Sequence, residues 1–311
     1  MGEFDLIERI RARTPTDASV LVGIGDDAAV LQPDPGQALV ASTDSLVPDR
    51  HFLTEWSAED IGHLALAVNL SDLAAMGARP RWSLLALTLP EADARWLDAF
   101  LDGFLGLASA HGMRLVGGNL ARGPLNICVQ VLGEVEPDRV ARRGRSRPGD
   151  LLAVTGTLGD AAAALALAEQ APPKLRDRLR RPTPRVAAGR VLSAWVSAMM
   201  DLSDGLLADA DKLLAGTGFG AEIHAERLPA SPALQACWPE AEARQLLQAR
   251  GGSDYELLFS LPESTLAAAE AALDVPLSVI GRVIERPGLR LLDAHGRELE
   301  TSHEGWDHFG R

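Results

Sequence analysis

Hydrophobic residues recur along the chain at two periods, one typical of helices and one typical of strands. Apolar side chains return at helical spacing from residue 60 to residue 76, and Gly77 and Pro80 then give the expected stop signal. A shorter amphipathic pattern predicts a helix over Glu3–Arg13. Alternating or β-rich runs predict strands near residues 20–22, 39–46, 82–89, 125–135 and 151–154. The chain is therefore expected to mix helices and strands.

Two polar residues interrupt the long helix where its face should be apolar. Asn69 and Asp72 are three residues apart, so they share one face among Leu, Ala and Val side chains. A carboxylate placed there loses hydration, and a metal ion is one of the few partners strong enough to replace it. Alternatively, Asp72 caps a backbone turn or pairs with Arg79. This stretch alone leaves both interpretations open.

A Leu-Ser-Asp tripeptide occurs twice, at residues 70–72 and again at residues 202–204. The second copy directly follows Asp201, so it too brings a further polar group beside its own acid. We interpret the two segments as similar carboxylate-bearing turns in two related halves of the chain. The halves are then expected to contribute acids to a shared cleft.

Glycines precede polar residues at several predicted strand ends. Asp26 and Asp27 follow two glycines, which permit either a hairpin turn or a close approach of the backbone to a ligand. Residues 115–119 are predicted to end a strand at a glycine pair, where backbone amides could face a phosphate. Residues 155–160 lead from a strand into a helix, a place where an anion can bind, but they lack the Lys-Ser/Thr ending of a Walker A loop.

Length and composition set the domain organisation. The chain has 311 residues, 47% of them hydrophobic, which is enough for two domains with packed cores. Proline and glycine at 148–149 mark the boundary, so we expect domains over residues 1–148 and 149–311. Apolar stretches are interrupted by charges every few residues, and the N-terminal sequence has no signal-peptide apolar region. We expect a cytoplasmic protein without a membrane partner.

Charge excludes further partner classes. The 30 basic and 43 acidic residues give a formal net charge of −13, which repels nucleic acids and anionic membranes. An arginine-dense segment, residues 139–147, closes the first half and could place one arginine on a phosphate. The two cysteines favour neither a disulfide framework nor a structural zinc site.

The candidate acids predict a metal-assisted chemistry. They are Asp26, Asp27, Asp44, Asp72, Asp201 and Asp204. Oxygen ligands without accompanying His or Cys favour Mg²⁺ or Mn²⁺, and converging carboxylates repel one another unless cations neutralise them. Bound divalent ions would hold a triphosphate, which is a coherent design for phosphoryl transfer. The sequence has no serine-hydrolase elbow, zinc-protease motif, protein-kinase loop or Rossmann fingerprint.

Short segments in order along nearly the whole chain resemble those of a known family. They are Gly-Ile-Gly-Asp-Asp-Ala-Ala at 23–29, Ser-Thr-Asp at 42–44, His-Phe at 51–52, Asn-Leu-Ser-Asp-Leu-Ala-Ala-Met-Gly-Ala at 69–78, Asp-Leu-Ser-Asp-Gly at 201–205, Gly-Gly-Ser-Asp-Tyr-Glu-Leu at 251–257 and Trp-Asp-His-Phe at 306–309. This series is similar to the motif series of the thiamine-monophosphate kinases. The resemblance implies ATP-dependent phosphorylation of thiamine monophosphate to thiamine diphosphate by direct transfer, the last step of thiamine diphosphate biosynthesis.

The resemblance also implies a fold. It is the two-domain α/β (α+β) fold shared with aminoimidazole ribonucleotide (AIR) synthetase. In that fold an N-terminal mixed sheet with helices binds ATP and Mg²⁺ and forms a homodimer, and a C-terminal α/β domain follows. ATP and thiamine monophosphate are the implied small-molecule partners, with several Mg²⁺ ions as cofactor.

Roles for single residues follow from the resemblance by position. The implied catalytic metal ligands are Asp27, Asp44, Asp72 and Asp201, with further metal contacts from Ser42, Thr43, Asn119 and Asp204. The implied nucleotide contacts are Gly118, Asn119, Arg143 and Ser203. His51, Ser253 and Trp306 are implied to line the thiamine phosphate site, where the Trp306 ring would stack on a thiamine ring.

Two positions depart from the family pattern. Asn119 stands where the family commonly has Asp, and an amide offers an oxygen but no negative charge, so a metal is expected to bind there more weakly. Ser253 stands where Glu is usual, and its shorter, neutral side chain reaches less far toward a substrate.

Other functions remain open at this point. A selenophosphate synthetase should carry a reactive Cys or Sec near its N-terminus, and hydrogenase-maturation relatives end in a reactive Cys, whereas this sequence shows neither. A nucleotide-binding module without catalysis is a different class of hypothesis, motivated by Asn119 and Ser253. It would bind ATP and Mg²⁺ without turnover.

Overall fold

A computed structural model of the chain describes residues 2–299, which form two compact units. The first unit comprises residues 2–73 and 78–138, and the second comprises residues 74–77 and 139–299. The arginine-dense segment therefore belongs to the second unit, where the Gly144 N–H donates to the Leu213 carbonyl oxygen at 2.8 Å. The sequence-based boundary at 148/149 places this segment in the first domain instead. The assignment of ATP binding, Mg²⁺ binding and dimerisation to residues 1–148 stays a prediction.

The first unit is built on a four-stranded mixed sheet. Its elements are α1 (Glu3–Arg13), β1 (Val20–Val22), β2 (Val30–Leu31), β3 (Ala38–Leu46), α2 (Ala58–Ala75), β4 (Arg79–Leu89), α3 (Ala94–Ala110), β5 (Arg114–Arg122) and β6 (Asn126–Val135). The sheet order is β3-β6-β4-β5, with β4 and β5 parallel and the other neighbours antiparallel. Strands β1 and β2 form a separate antiparallel pair. Strands β3 and β5 are thus the two edges of the main sheet.

Helix α2 is the most deeply buried element of this unit. From residue 61 to residue 75 every residue is buried except His63 and Asp72, which are half-buried. A helix that is buried nearly all round needs apolar residues on every face, and the run of Leu, Ala and Val supplies them. The polar side chains of Asn69 and Asp72 must therefore find partners inside the protein.

The second unit contains a larger sheet with helices. Its elements are β7 (Leu151–Thr155), α4 (Asp160–Leu167), α5 (Pro173–Arg180), α6 (Val186–Leu192), β8 (Ala198–Asp201), α7 (Leu206–Leu214), β9 (Gly220–His224), α8 (Pro232–Cys237), α9 (Ala241–Arg250), β10 (Leu257–Leu261), α10 (Leu266–Ala272), β11 (Leu277–Ile284) and β12 (Gly288–Leu292). The six strands follow the order β12-β9-β11-β7-β10-β8. Their core includes Leu152, Val154, Met200, Leu213 and Ile223.

Two local predictions from the sequence are wrong. The glycine pair at 117–118 does not end a strand, because β5 continues through it to Arg122. A Cβ added at Gly118 would lie 1.9 Å from the Leu85 carbonyl oxygen, so the glycine permits the close approach of β4 and β5. The two Leu-Ser-Asp tripeptides are not related turns, since residues 70–72 lie within α2 and residues 202–204 connect β8 to α7.

Within residues 2–299, no helix combines the length and the apolar character needed to cross a lipid bilayer.

Candidate active site

Strand β3 and helix α2 bring four of the sequence-predicted polar residues together. Alternation along β3 gives Ser42 and Asp44 half-buried side chains, while Thr43 between them is exposed. The Ser42 hydroxyl donates to Oδ2 of Asp72 at 2.5 Å, and the Asp44 N–H donates to the amide oxygen of Asn69 at 3.1 Å. Asn69 in turn donates from Nδ2 to a carbonyl oxygen one turn earlier in α2, at 2.9 Å. The shared face of Asn69 and Asp72 is thus confirmed, and it faces β3.

The ion pair between Asp72 and Arg79 that the sequence allowed is not formed. Arg79 pairs instead with Asp34 and with the buried Glu134. Glu134 also accepts from Arg81 at 2.7 Å. These charges form a separate ion network at the start of β4.

Asp44 and Asp72 form a pair of carboxylates that interact electrostatically across β3 and α2. Burial, and after it the nearby Asp72 charge, raises the pKa of Asp44 to about 6. Two carboxylates and a hydroxyl make an oxygen-only donor set, which suits a hard divalent cation. Among residues 2–299 no cluster of three or more His, Cys, Asp or Glu side chains is arranged to hold a metal. The pair by itself therefore offers only part of a coordination shell.

Four further first-unit candidates have local hydrogen-bond partners of their own or lie exposed. The Thr43 hydroxyl donates to the Val129 carbonyl oxygen at 3.0 Å, on the exposed side of the strand. His51 follows β3 in a loop, and its Nδ1 accepts from the Val47 N–H at 3.1 Å, so the neutral ring carries its proton on Nε2. Asp26 and Asp27 are exposed, and the Asp27 N–H donates to Oδ1 of Asp26 at 2.8 Å.

Gly118 and Asn119 lie on the opposite edge of the sheet from Asp44. The register aligns Asp44 with Val129, Val129 with Leu85, and Leu85 with Gly118. Three strand spacings of about 4.8 Å separate the two edges by roughly 14 Å. Mg²⁺ holds its ligand oxygens at about 2.1 Å, so Asp44 and Asn119 of one copy do not reach the same ion.

In the second unit, the turn from β8 into α7 carries Asp201, Ser203 and Asp204. Asp201 is buried at the end of β8. The N–H groups of Ser203, Asp204 and Gly205 all donate to Oδ2 of Asp209, at 3.0, 3.0 and 3.1 Å. The Ser203 N–H is therefore already used, and a nucleotide contact from Ser203 falls to its hydroxyl.

Lys212 completes this turn. Its ammonium group donates to Oδ1 of Asp209 at 2.9 Å and also to Oδ2 of Asp204. Burial acts to lower the pKa of Lys212, but the hydrogen bonds to the two carboxylates outweigh it, so the pKa is raised. Burial raises the pKa of Asp209, while its bonds to Lys212 act in the opposite direction.

The glycine-rich segment before β10 packs against the same turn. The Ser253 N–H donates to the Ser203 carbonyl oxygen, and the Tyr255 N–H donates to the Leu202 carbonyl oxygen, both at 2.8 Å. Ser253 and Tyr255 have φ angles of 65° and 50°, in the left-handed region that non-glycine residues rarely adopt. Two residues implied to contact different substrates, Ser203 and Ser253, are thus neighbours.

Sequence reasoning missed the buried charges that hold this segment. Glu256 accepts from Arg178 at 2.9 Å, from Arg185 at 2.5 and 2.6 Å, and from the Thr155 hydroxyl at 2.7 Å. Both oxygens of Asp254 accept from the Gly159 N–H. The helix N-terminus considered for an anion therefore faces the Asp254 carboxyl, whose pKa burial raises well above its usual range. The arginines come from α5 and the start of α6, too far along the chain for any sequence pattern to pair them.

The last two residues that the resemblance implies are Arg143 and Trp306. Arg143 is exposed in the second unit. Trp306 lies outside the described residues.

Comparisons with known proteins cover both units. The AIR synthase related protein N-terminal domain matches residues 25–135, and the AIR synthase related protein C-terminal domain matches residues 147–294. Thiamine-monophosphate kinase of Salmonella typhimurium is 40% identical over 321 residues, covering 99% of this chain and 98% of the relative.

Solved structures agree with these matches. The crystal structure of thiamine-monophosphate kinase from Stenotrophomonas maltophilia K279a has a TM-score of 0.87 at 44% identity, covering 96% of this chain and 98% of that one. AaThiL complexed with AMPPCP and TMP has a TM-score of 0.78 at 33% identity, covering 99% and 97% of the two chains. The expected two-domain AIR-synthetase-like fold is thereby confirmed.

Proposed function

Because the chain belongs to the thiamine-monophosphate kinase family, we propose that it transfers the γ-phosphoryl group of ATP to the phosphate of thiamine monophosphate. The products are ADP and thiamine diphosphate. The observation that carries this proposal is the full-length likeness to a relative solved with AMPPCP, an ATP analogue, and TMP. The same likeness supports ATP as co-substrate and thiamine monophosphate as acceptor.

The first unit supplies a carboxylate pair for this chemistry. Ser42 holds the carboxylate of Asp72, and Asn69 holds the backbone of Asp44, so both residues are positioned by neighbouring side chains. We propose that Asp27, Asp44 and Asp72 of the first unit are Mg²⁺ ligands, and that Asp201 of the second unit is a Mg²⁺ ligand as well. When bound, Mg²⁺ would neutralise phosphate charge during phosphoryl transfer. The raised pKa of Asp44 supports this role, since a nearby cation relieves the repulsion between the two carboxylates.

The second unit is proposed to contribute the remaining nucleotide and substrate contacts. Ser203 and Arg143 are proposed to bind ATP, and Ser253 is proposed to contact thiamine monophosphate with His51 of the first unit. The hydrogen bond from the Ser253 N–H to the Ser203 carbonyl oxygen supports this proposal, because it keeps the two residues next to each other. Trp306 is proposed to stack on the thiamine ring.

A homodimer through the N-terminal sheets belongs to the same proposal, as does a cytoplasmic location. The first unit is then the domain for dimerisation and for ATP and Mg²⁺. The distance between the sheet edges supports a second copy, because Asn119 does not reach the ion of the Asp44 in its own copy. A partner would bring another Asp44 and Asp72.

The test is a direct assay. Purified protein is incubated with ATP, Mg²⁺ and thiamine monophosphate, and thiamine, its monophosphate and its diphosphate are separated by chromatography. We expect diphosphate and ADP in equal amounts from the monophosphate, and no product from thiamine. ATP binding without any diphosphate would contradict the proposal and favour a nucleotide-binding module that does not catalyse transfer.

A further inference from the structure

Lys212 is an unusual residue in this chain because nearly all of its cations are arginines. Of the 30 basic residues, lysine stands only at Lys174 and Lys212. Lys174 is exposed on α5, whereas Lys212 is half-buried on α7. Lys212 is therefore the less exposed of the two lysines. A lysine offers a compact point charge on a flexible stem, while an arginine presents a rigid planar fork.

Asp209 provides a fixed anchor for this cation. Its side chain is fully buried, and its Oδ2 accepts three consecutive backbone N–H groups from the turn at residues 203–205. Three such donors form a concave site that usually holds an anion, and here the chain fills it with its own carboxylate. Charge-assisted bonds of this number hold Asp209 in place without help from Lys212.

Lys212 links this anchor to the candidate ion ligand. The ammonium group donates to Oδ1 of Asp209 at 2.9 Å and to Oδ2 of Asp204. Asp204 is only half-buried, so its carboxylate remains open to solvent on another side. Any cation that approaches Asp204 meets a carboxylate that already has a counter-charge.

We propose that Lys212 is the resident counter-cation of Asp204, and that a divalent ion displaces its ammonium group when it binds there. The inference rests on the proposed function, which makes Asp204 an ion ligand. Asp209 is then a positioning residue, which keeps the turn in shape after the ammonium group has moved. Since the ion must compete with Lys212, its apparent affinity is lower than the acids alone would give.

The two-lysine composition allows a direct observation of this exchange. Protein labelled with ¹³C at the lysine ε-carbon gives two side-chain signals, which Lys212→Met and Lys174→Met assign. Mg²⁺ is added alone and in a second titration with AMPPCP. We expect the Lys212 signal to shift with Mg²⁺ and the Lys174 signal to stay still. In Asp204→Asn the response of Lys212 should disappear.

A binding measurement gives the direction of the effect. We expect Lys212→Met to bind Mn²⁺ about 1.5- to fivefold more tightly, the range for loss of a partly exposed ion pair, as followed by electron paramagnetic resonance. Lys174→Met and the charge-conserving Lys212→Arg should match the parent chain. Thermal melts of each variant check that the fold is intact.

Two outcomes would overturn the inference. One is a Lys212 signal that stays still in both titrations, and the other is weaker Mn²⁺ binding in a folded Lys212→Met variant, which would make Lys212 a support of the ion site. Failure of the kinase assay with a moving Lys212 signal would instead remove only the proposed reaction, so the two failures are distinguishable.

Discussion

The hydroxyl of Ser42 donates a hydrogen bond to Oδ2 of Asp72, with 2.5 Å between the two oxygen atoms. This bond joins edge strand β3 to the buried helix α2, and the bond from the Asp44 N–H to Asn69 lies beside it. Polar side chains on an otherwise apolar helix thus hold a strand that carries an acid. The helix positions the carboxylate pair as well as filling the core.

Asp72→Asn should abolish most of the turnover while leaving the fold intact. An amide oxygen still accepts from Ser42, but the loss of one charge weakens metal binding, so we expect kcat to fall by more than about a hundredfold. Ser42→Ala is the matched control, because it removes the hydrogen bond and keeps the charge, and its loss should be about tenfold. Circular dichroism melts accompany the kinetics. Unchanged kcat in Asp72→Asn would remove Asp72 from the site.

The unfolding free energy of the protein should depend on pH through the ionisation of Asp44. Its pKa, raised by burial and then by Asp72, is about 6 in the folded chain, against the ordinary aspartate value of 3.8. A carboxyl group shifted this way contributes fully below the unfolded pKa, and the contribution is lost as the pH rises through the folded pKa. Metal-free protein should therefore lose on the order of 2–3 kcal/mol of unfolding free energy between about pH 4 and pH 6.

Urea titrations in EDTA across this pH range measure the effect. Asp44→Asn is the control, since it has no group to titrate there and its profile should be flatter by the amount assigned to Asp44. Mg²⁺ should restore stability above pH 6, where Asp44 is ionised, and have little effect at pH 4. Identical profiles for Asp44→Asn and the parent chain would contradict the assignment.

The sequence predicts the elements of the site better than it predicts their partners. Helical spacing was enough to place Asn69 and Asp72 on one face, because that relation is local. Their bonds to β3 join residues that are 25 and 30 positions apart, so they depend on tertiary packing. Residue spacing alone does not specify which strand meets a helix.

Asp209 is a second residue whose role the sequence alone does not predict. It lies inside α7, and nothing in its sequence neighbours distinguishes it from an exposed acid. Only the folded turn reveals that its carboxylate receives three N–H groups. Glu256 is similar, since its arginine partners come from more than seventy residues earlier in the chain.

Ser253 can be tested for its backbone and its hydroxyl separately. Because its φ is 65°, Ser253→Gly should relieve strain and raise the unfolding free energy by up to about 1 kcal/mol. Ser253→Ala removes the hydroxyl but keeps the strain, so it should not stabilise the chain. If the hydroxyl contacts the substrate, both variants should raise KM for thiamine monophosphate to a similar extent. A KM unchanged in both would exclude that contact.

Asn119→Asp should lower the Mg²⁺ concentration needed for half-maximal rate by roughly two- to fivefold, because a carboxylate adds a charge that an amide lacks. Asn119 is exposed on edge strand β5, so the added acid has room and solvent around it. Initial rates are measured against Mg²⁺ at fixed ATP. Gln32→Glu adds the same charge at an exposed position of the same unit and should leave the titration unchanged. An equal shift in both variants would mean that the net charge of the unit, not the position of residue 119, acts on the ions. No shift in either variant would mean that Asn119 lies away from the ions.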